Sequence, residues 1–220
     1  MKPNHVTETS PELHTLILRY FPDTTEKQLK KFSLLAEQVR DWNTRVNLIS
    51  RKDIENLEER HILHSLAIAR VWQPVAGTHV ADLGTGGGFP GLPLAIMYPK
   101  CHFFLIDSIA KKANATEEIV KALKLRNVRI LTKRAEKVSR RFGYVFGRAV
   151  ARLPQFLEWA MPMTKKGKGG EPPHGVFYFK GSHYEQELED HPRQPTHVWS
   201  LSEFFEEPYF KEKFLLHFKR

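Results

Sequence analysis

Apolar side chains early in the chain recur at helical spacing. Leu29, Phe32, Leu35, Val39 and Trp42 follow three- and four-residue steps, which predicts one amphipathic helix, and Thr25 and Gln28 stand at capping-box spacing at its start. Asp53 is placed to cap a further helix carrying Leu57, Ile62, Leu66 and Ile68 as far as about Trp72. From Thr78 the pattern changes to short apolar runs that end in polar or glycine positions: THVADLG, CHFFLIDS, NVRILTKR, YVFGRAVA and GVFYFKGS. Helix-like segments at Leu92–Met97, Ala113–Leu125 and Leu153–Met163 separate several of them. Strands alternating with helices predict a parallel sheet covered on both faces. Near the C-terminus HVWSLSEF and EKFLLHFKR have no helix-length pattern between them, which predicts an antiparallel pair. The expectation is an N-terminal helical cap over residues 1–75 and an α/β core over 76–220, folded as one compact unit. The stretch TKKGKGGEPPHG is read as a basic loop inside the core.

Charge adds a partner class. The 220 residues carry 34 Lys+Arg against 25 Asp+Glu, a net charge of +9, and a surplus of that size favours a polyanion. The single Cys101 excludes an internal disulfide and suits a reducing compartment. The N-terminal MKPNHVTETSPEL has no apolar signal core, and no run approaches the ~18 apolar residues of a membrane span. A cytoplasmic protein without membrane attachment is expected.

Candidate chemistry concentrates in VADLGTGGGFPG, Val80 to Gly91. Glycines in the first strand-to-helix turn of a parallel sheet let a nucleotide approach the main chain. Two cofactor classes compete for such a turn. Gly86, Gly88 and Gly91 match G-x-G-x-x-G, with Asp107 about one strand further on, as a nicotinamide dinucleotide site requires. Asp82, two residues before Gly84, argues the other way, because a pyrophosphate beside a carboxylate is unfavourable. S-adenosylmethionine has no phosphate and presents an ammonium and a sulfonium, both attracted to an acid. Pro90 also interrupts the helix start that would offer free N–H groups to phosphate. Asp107 is then placed to accept from both ribose hydroxyls. The residues favour S-adenosylmethionine.

Several further stretches occur in one order with that loop: WNTRVNLIS and ERHILHSL before it, KRAEKV, GRAVARL and FKG after it. Together they resemble the small-subunit ribosomal RNA methyltransferase G family, also called glucose-inhibited division protein B, over roughly Leu29 to Gly181. The resemblance implies a class I methyltransferase fold: a Rossmann-like, mostly parallel sheet with helices on both faces. It implies methyl transfer from S-adenosylmethionine to N7 of a guanosine in small-subunit ribosomal RNA, free or in an assembling subunit. Gly84 and Phe89 would contact the cofactor, Ala135 and Glu136 would meet the adenine, and Arg148 would lie at the reactive end. Arg60, His61 and Lys180 would line the substrate cleft. The chain departs from the family pattern at His64, where an aspartate is usual, and after Lys111–Lys112–Ala113, where Asn114 and Ala115 replace a Phe-Leu pair.

Guanine N7 has a lone pair and no proton, so the reaction needs alignment rather than a general base. Arg148 is suited to a guanine edge or a neighbouring phosphate. Basic groups at Lys111–Lys112, Lys133–Arg134, Arg140–Arg141 and Lys165, Lys166 and Lys168 are expected to meet RNA, with Trp42 and Phe89 available for stacking. His61 and His64 lack a nearby third ligand, so no metal is expected. A monomer is expected. Two alternatives stay open on the sequence: an NAD(P)-dependent oxidoreductase, and a ribosome-associated RNA-binding module without catalysis.

Overall fold

A computed structural model describes residues 11–220. The reading of the N-terminal stretch as lacking a signal core therefore lies mostly outside the described residues. Seven strands form one sheet: β1 (His79–Leu83), β2 (His102–Asp107), β3 (Val128–Thr132), β4 (Tyr144–Arg148), β5 (Gly175–Gly181), β6 (His197–Ser200) and β7 (Lys213–Lys219). Their order is β3-β2-β1-β4-β5-β7-β6. The first five are parallel, and β7 pairs antiparallel with both β5 and β6. The fold is the α/β class the sequence predicts, with the C-terminal antiparallel pair in place.

Alternation along each strand explains the layers. Val80, Phe103, Leu105, Phe146 and Phe177 face a core shared with α1 (Pro11–Tyr20), α2 (Glu26–Asn43), α3 (Gly91–Met97) and α4 (Ala110–Ala122). Ala81, Leu83, Ile106, Val145 and Tyr178 face α5 (Leu153–Met163), with Leu188 of α6 (Tyr184–Leu188) in the same cluster. Leu13, Phe32 and Val39 of the first two helices are fully buried in the first of these cores, so the N-terminal helices form a layer of the sheet's own packing. The capping box is present: the Thr25 hydroxyl accepts from the Gln28 N–H, and the Gln28 side chain accepts from the Thr25 N–H at 3.0 Å.

One expectation changes. Ile54–Arg70 is not one α-helix but a 3-10 turn, a π-helical turn at Glu58–Leu63, a single α turn and a second 3-10 turn. Leu57, Ile62, Leu66 and Ile68 are all fully buried as their spacing requires. Asp53 makes no capping bond, however, because its carboxylate is engaged elsewhere.

Candidate functional site

β1 lies between β2 and β4, where the chain reverses its direction of travel across the sheet. Ligands of open α/β sheets bind at the carboxyl ends of the strands at such a point. The glycine turn sits there. Gly84 and Gly86 have φ of +70° and +55°, left-handed conformations that disfavour any side chain. At Gly84 a Cβ would also stand 2.6 Å from the Val150 side chain. The turn is tied down by the Gly84 N–H to Ile106 O at 2.8 Å and by the Thr116 hydroxyl to Gly86 O at 2.9 Å.

Asp82 braces this turn from beneath. Its Oδ2 accepts from the Thr85 hydroxyl at 2.6 Å and from the Gly91 N–H at 2.8 Å. The residue is fully buried, and burial raises its carboxyl to about 6. Asp82, expected beside the cofactor's cations, is not among the described residues lining either cavity of the site. One buried oxygen, Oδ1, has no partner. Because Asp82 takes the first N–H of α3, the helix start does not offer that donor to a pyrophosphate.

Two cavities flank the glycine turn and share Gly84, Gly86, Lys112 and Ala149. The smaller, about 390 Å³, is lined by Asp107, Ala135, Glu136 and Trp159 among others. Asp107 accepts from the Gly86 N–H at 2.9 Å through Oδ2 and from the Ile109 N–H at 2.8 Å through Oδ1. Each carboxylate oxygen keeps a further acceptor site, which fits a pair of ribose hydroxyls. The residues fit an adenosine.

The larger cavity, about 550 Å³, holds Asp53, Arg60, His61, His64, Phe89, Arg148, Lys180 and Tyr209. Arg148 donates through Nη1 to Arg60 O at 3.0 Å and through Nη2 to His61 Nδ1 at 2.8 Å. A guanidinium only donates, so His61 Nδ1 is unprotonated and the ring's proton belongs to Nε2. Nε2 faces Asp53 Oδ2 at 3.5 Å, and Arg60 donates to Asp53 Oδ1 at 3.1 Å. Burial and the Arg148 charge lower His61 to about 4, against the pull of Asp53, so the ring is neutral near pH 7. Arg148 also lies over the Phe89 ring at 5.6 Å. Burial lowers His64 well below the usual histidine range, and its Nδ1 lies 3.1 Å from the Tyr209 hydroxyl. Lys180 pairs with Glu187 at 2.6 Å, and Glu187 also accepts from the Leu153 N–H at 2.6 Å.

The structure thus brings Gly84, Gly86, Phe89, Asp107, Ala135, Glu136, Arg148, Lys180 and His61 to one place. Sequence reasoning missed Asp53, Trp159, Tyr209 and Lys213, which carry no motif and arrive from distant segments. It also missed Ala149, a non-glycine residue at φ +54° where both cavities meet. Strained backbone of this kind gathers at functional sites. The basic pairs divide: Lys112, Lys133 and Arg134 line the site, whereas Arg140, Arg141 and Lys165–Lys168 belong to loops at the opposite end of the sheet. The groups expected to meet RNA therefore lie at both ends of the sheet.

Among the described residues no group of three or more His, Cys, Asp or Glu could hold a metal ion, and no helix is long and apolar enough to cross a membrane.

Comparison with known proteins gives one family. A profile described as GidB, rRNA small subunit methyltransferase G, matches residues 28–207. The ribosomal RNA small subunit methyltransferase G of Flavobacterium psychrophilum is 43% identical over 201 residues, 91% of this chain and 95% of that protein. The protein of the same name from Bacteroides thetaiotaomicron is 46% identical over 198 residues, 90% of this chain and 96% of its own length. Among solved structures, a SAM-dependent methyltransferase from Aquifex aeolicus superposes with a TM-score of 0.55 at 19% identity, covering 83% of this chain and 97% of that one. Coclaurine N-methyltransferase bound to N-methylheliamine and SAH gives 0.54 at 14% identity, covering 88% and 73%. These structural likenesses concern the fold.

Proposed function

The chain belongs to the rRNA small subunit methyltransferase G family, and from that membership we propose how its two cavities divide the work. The protein is an S-adenosylmethionine-dependent ribosomal RNA methyltransferase. Its activity is methyl transfer to N7 of a guanosine in small-subunit ribosomal RNA. The smaller cavity holds the adenosine, with Asp107 on the ribose and Ala135 and Glu136 along the adenine. The larger receives the target nucleotide.

The carrying observation is the contrast between cavities that join at Gly84, Gly86 and Ala149. One presents the Asp107 carboxylate with spare acceptor sites, with Lys112, Lys133 and Arg134 on its walls; the other gathers the cations Arg60, Arg148, Lys180 and Lys213 with the single carboxylate of Asp53. Bound S-adenosylmethionine supplies an electrophilic methyl group on a sulfonium. The chain's residues hold the base so that its N7 lone pair points at that carbon. No side chain needs to remove a proton. Neutral His61 suits this task, because it orients Arg148 without adding charge beside a base that becomes cationic. Arg148 and Lys180 then serve the phosphates flanking the target.

Methyl transfer from labelled cofactor to deproteinised small-subunit RNA, to an assembly intermediate and to the mature subunit tests the proposal, with the product nucleoside identified. N7-methylguanosine in at least one is expected; no transfer, or a different methylated nucleoside, overturns it. RNA binding without transfer to any of the three would identify the non-catalytic module instead. The complete adenosine cavity supports catalysis over that alternative. An RNA substrate implies work in the bacterial cytoplasm.

A further inference from the structure

We propose that the end of the sheet opposite the cofactor site is a second docking face, for the phosphate backbone of ribosomal RNA remote from the methylated guanosine. The proposal rests on the RNA methyltransferase reading above.

Topology places the charge. The parallel strands begin together: His79 pairs with His102, Phe103 with Val128, and Tyr144 with Gly175. The segments that lead into them therefore all emerge at this end. They carry Lys100 ahead of β2, Lys124 and Arg126 ahead of β3, and Arg140 and Arg141 ahead of β4. Lys165, Lys166 and Lys168 lie in the loop ahead of β5. All eight are exposed. Lys219 joins them, because β7 runs antiparallel and ends opposite Gly175.

These cations lack acidic partners, although Arg140 also lies over the Phe104 ring at 4.1 Å. None of them takes part in an ion pair among the described residues; the pairs present engage other groups. Glu171 is the acidic residue of the Thr164–His174 loop. A groove of about 980 Å³ opens at the flank of this end, with Lys27, Lys31, Lys124 and Arg126 on its walls. Helix C-termini attract cations, which accounts for one or two at each helix end. It does not account for Arg140 and Arg141, which follow a 3-10 turn at Ala135–Lys137. Nor does it account for three lysines in one loop.

The net charge of +9 is thus unevenly spread. The cofactor end mixes its cations with Asp53, Asp107, Glu136 and Glu187, whereas the eight exposed cations ahead of the strands have no ion-pair partner among the described residues. A five-residue strand spans about 16 Å, so one nucleotide cannot reach both ends. RNA that touches both must be long or folded around the protein. The cofactor end selects the nucleotide, and the far face adds sequence-independent attraction to an extended polyanion.

The test replaces Lys124, Arg126, Lys165, Lys166 and Lys168 by Gln in the full chain. Binding to full-length small-subunit RNA is measured across salt concentrations, and methyl transfer is measured on that RNA, on the assembled subunit and on a short stem-loop carrying the target. The variant is expected to lower the log–log salt slope by about two or more, since each phosphate contact contributes roughly 0.7–0.9. KM for full-length RNA should rise several-fold, with stem-loop activity and cofactor affinity unchanged. Those last two readouts show that the variant is folded. A parental salt slope and KM on full-length RNA overturn the proposal. A loss confined to assembled subunits, with deproteinised RNA unaffected, overturns it in favour of a protein partner. If the parental enzyme methylates none of these RNAs and neither an assembly intermediate nor the mature subunit, the methyltransferase reading fails, while the salt slopes still decide whether this face binds RNA.

Discussion

Two aspartates at the ends of neighbouring strands do different work, and substitutions should separate them. Asp107 faces the smaller cavity with spare acceptor sites. Asp107→Ala is expected to weaken S-adenosylmethionine by on the order of 1.5–3 kcal/mol, the range for hydrogen bonds to a charged group. Calorimetric titration checks this, and an unchanged affinity would take the ribose away from Asp107. Asp82 instead lies buried with its carboxyl raised to about 6. Its protonated form is favoured by folding, so this stabilisation is full below the ordinary carboxyl value. It is lost as pH rises through about 6, a change on the order of 3 kcal/mol. Asp82→Asn keeps an acceptor for Thr85 and Gly91 but does not ionise. Relative to that variant, the parental protein should lose stability between pH 4 and pH 7 in cofactor-free urea unfolding. Parallel pH curves would show that Asp82 does not titrate there.

At the scale of elements, regular pieces were legible and irregular ones were not. The stripe Leu29 to Trp42 and its capping box became α2 because local spacing alone determines both. Thr25→Ala should therefore cost about 1 kcal/mol in urea unfolding, and a loss below a few tenths would show that packing of α2, not its cap, holds that end. The five parallel strands were legible because each short apolar run is bounded by polar or glycine positions. The passage from Asp53 to Arg70 was not. Its apolar spacing suits a helix, but Asp53 is drawn from capping into contact with Arg60 and His61, and the π-helical turn carries those two residues into the cleft. π-Helical turns often mark functional sites, and no local composition announces one. Tyr209 and Lys213 were hidden for a different reason: only the return of the C-terminal segment brings Tyr209 to His64 and Arg60, with Lys213 over the Tyr209 ring. Their place depends on contacts more than a hundred residues apart in sequence, which periodicity does not encode.

For the whole molecule, the smaller cavity lies at the end of a sheet that both cores pack against, so cofactor binding should stabilise the chain as a unit. The cavity wall comes from the ends of β1 and β2, from the turn after β3 and from the loop after β4. Local opening at any of these breaks the site, and a ligand that binds only the closed form opposes unfolding. At a free concentration 100-fold above Kd, S-adenosylmethionine should add about 2.7 kcal/mol. For a chain of this size each kcal/mol raises Tm by roughly 2–4 °C, so an increase of about 5–10 °C is expected. NAD should give no such increase, because the first N–H of α3 is taken by Asp82 and a carboxylate lies beneath the turn where a pyrophosphate would rest. Differential scanning fluorimetry with each ligand, on the parental chain and on Asp107→Ala, checks the scheme. A comparable shift with NAD would return the glycine turn to the dinucleotide class. A full S-adenosylmethionine shift in the variant, matched in excess over the parental Kd, would place the cofactor away from β2.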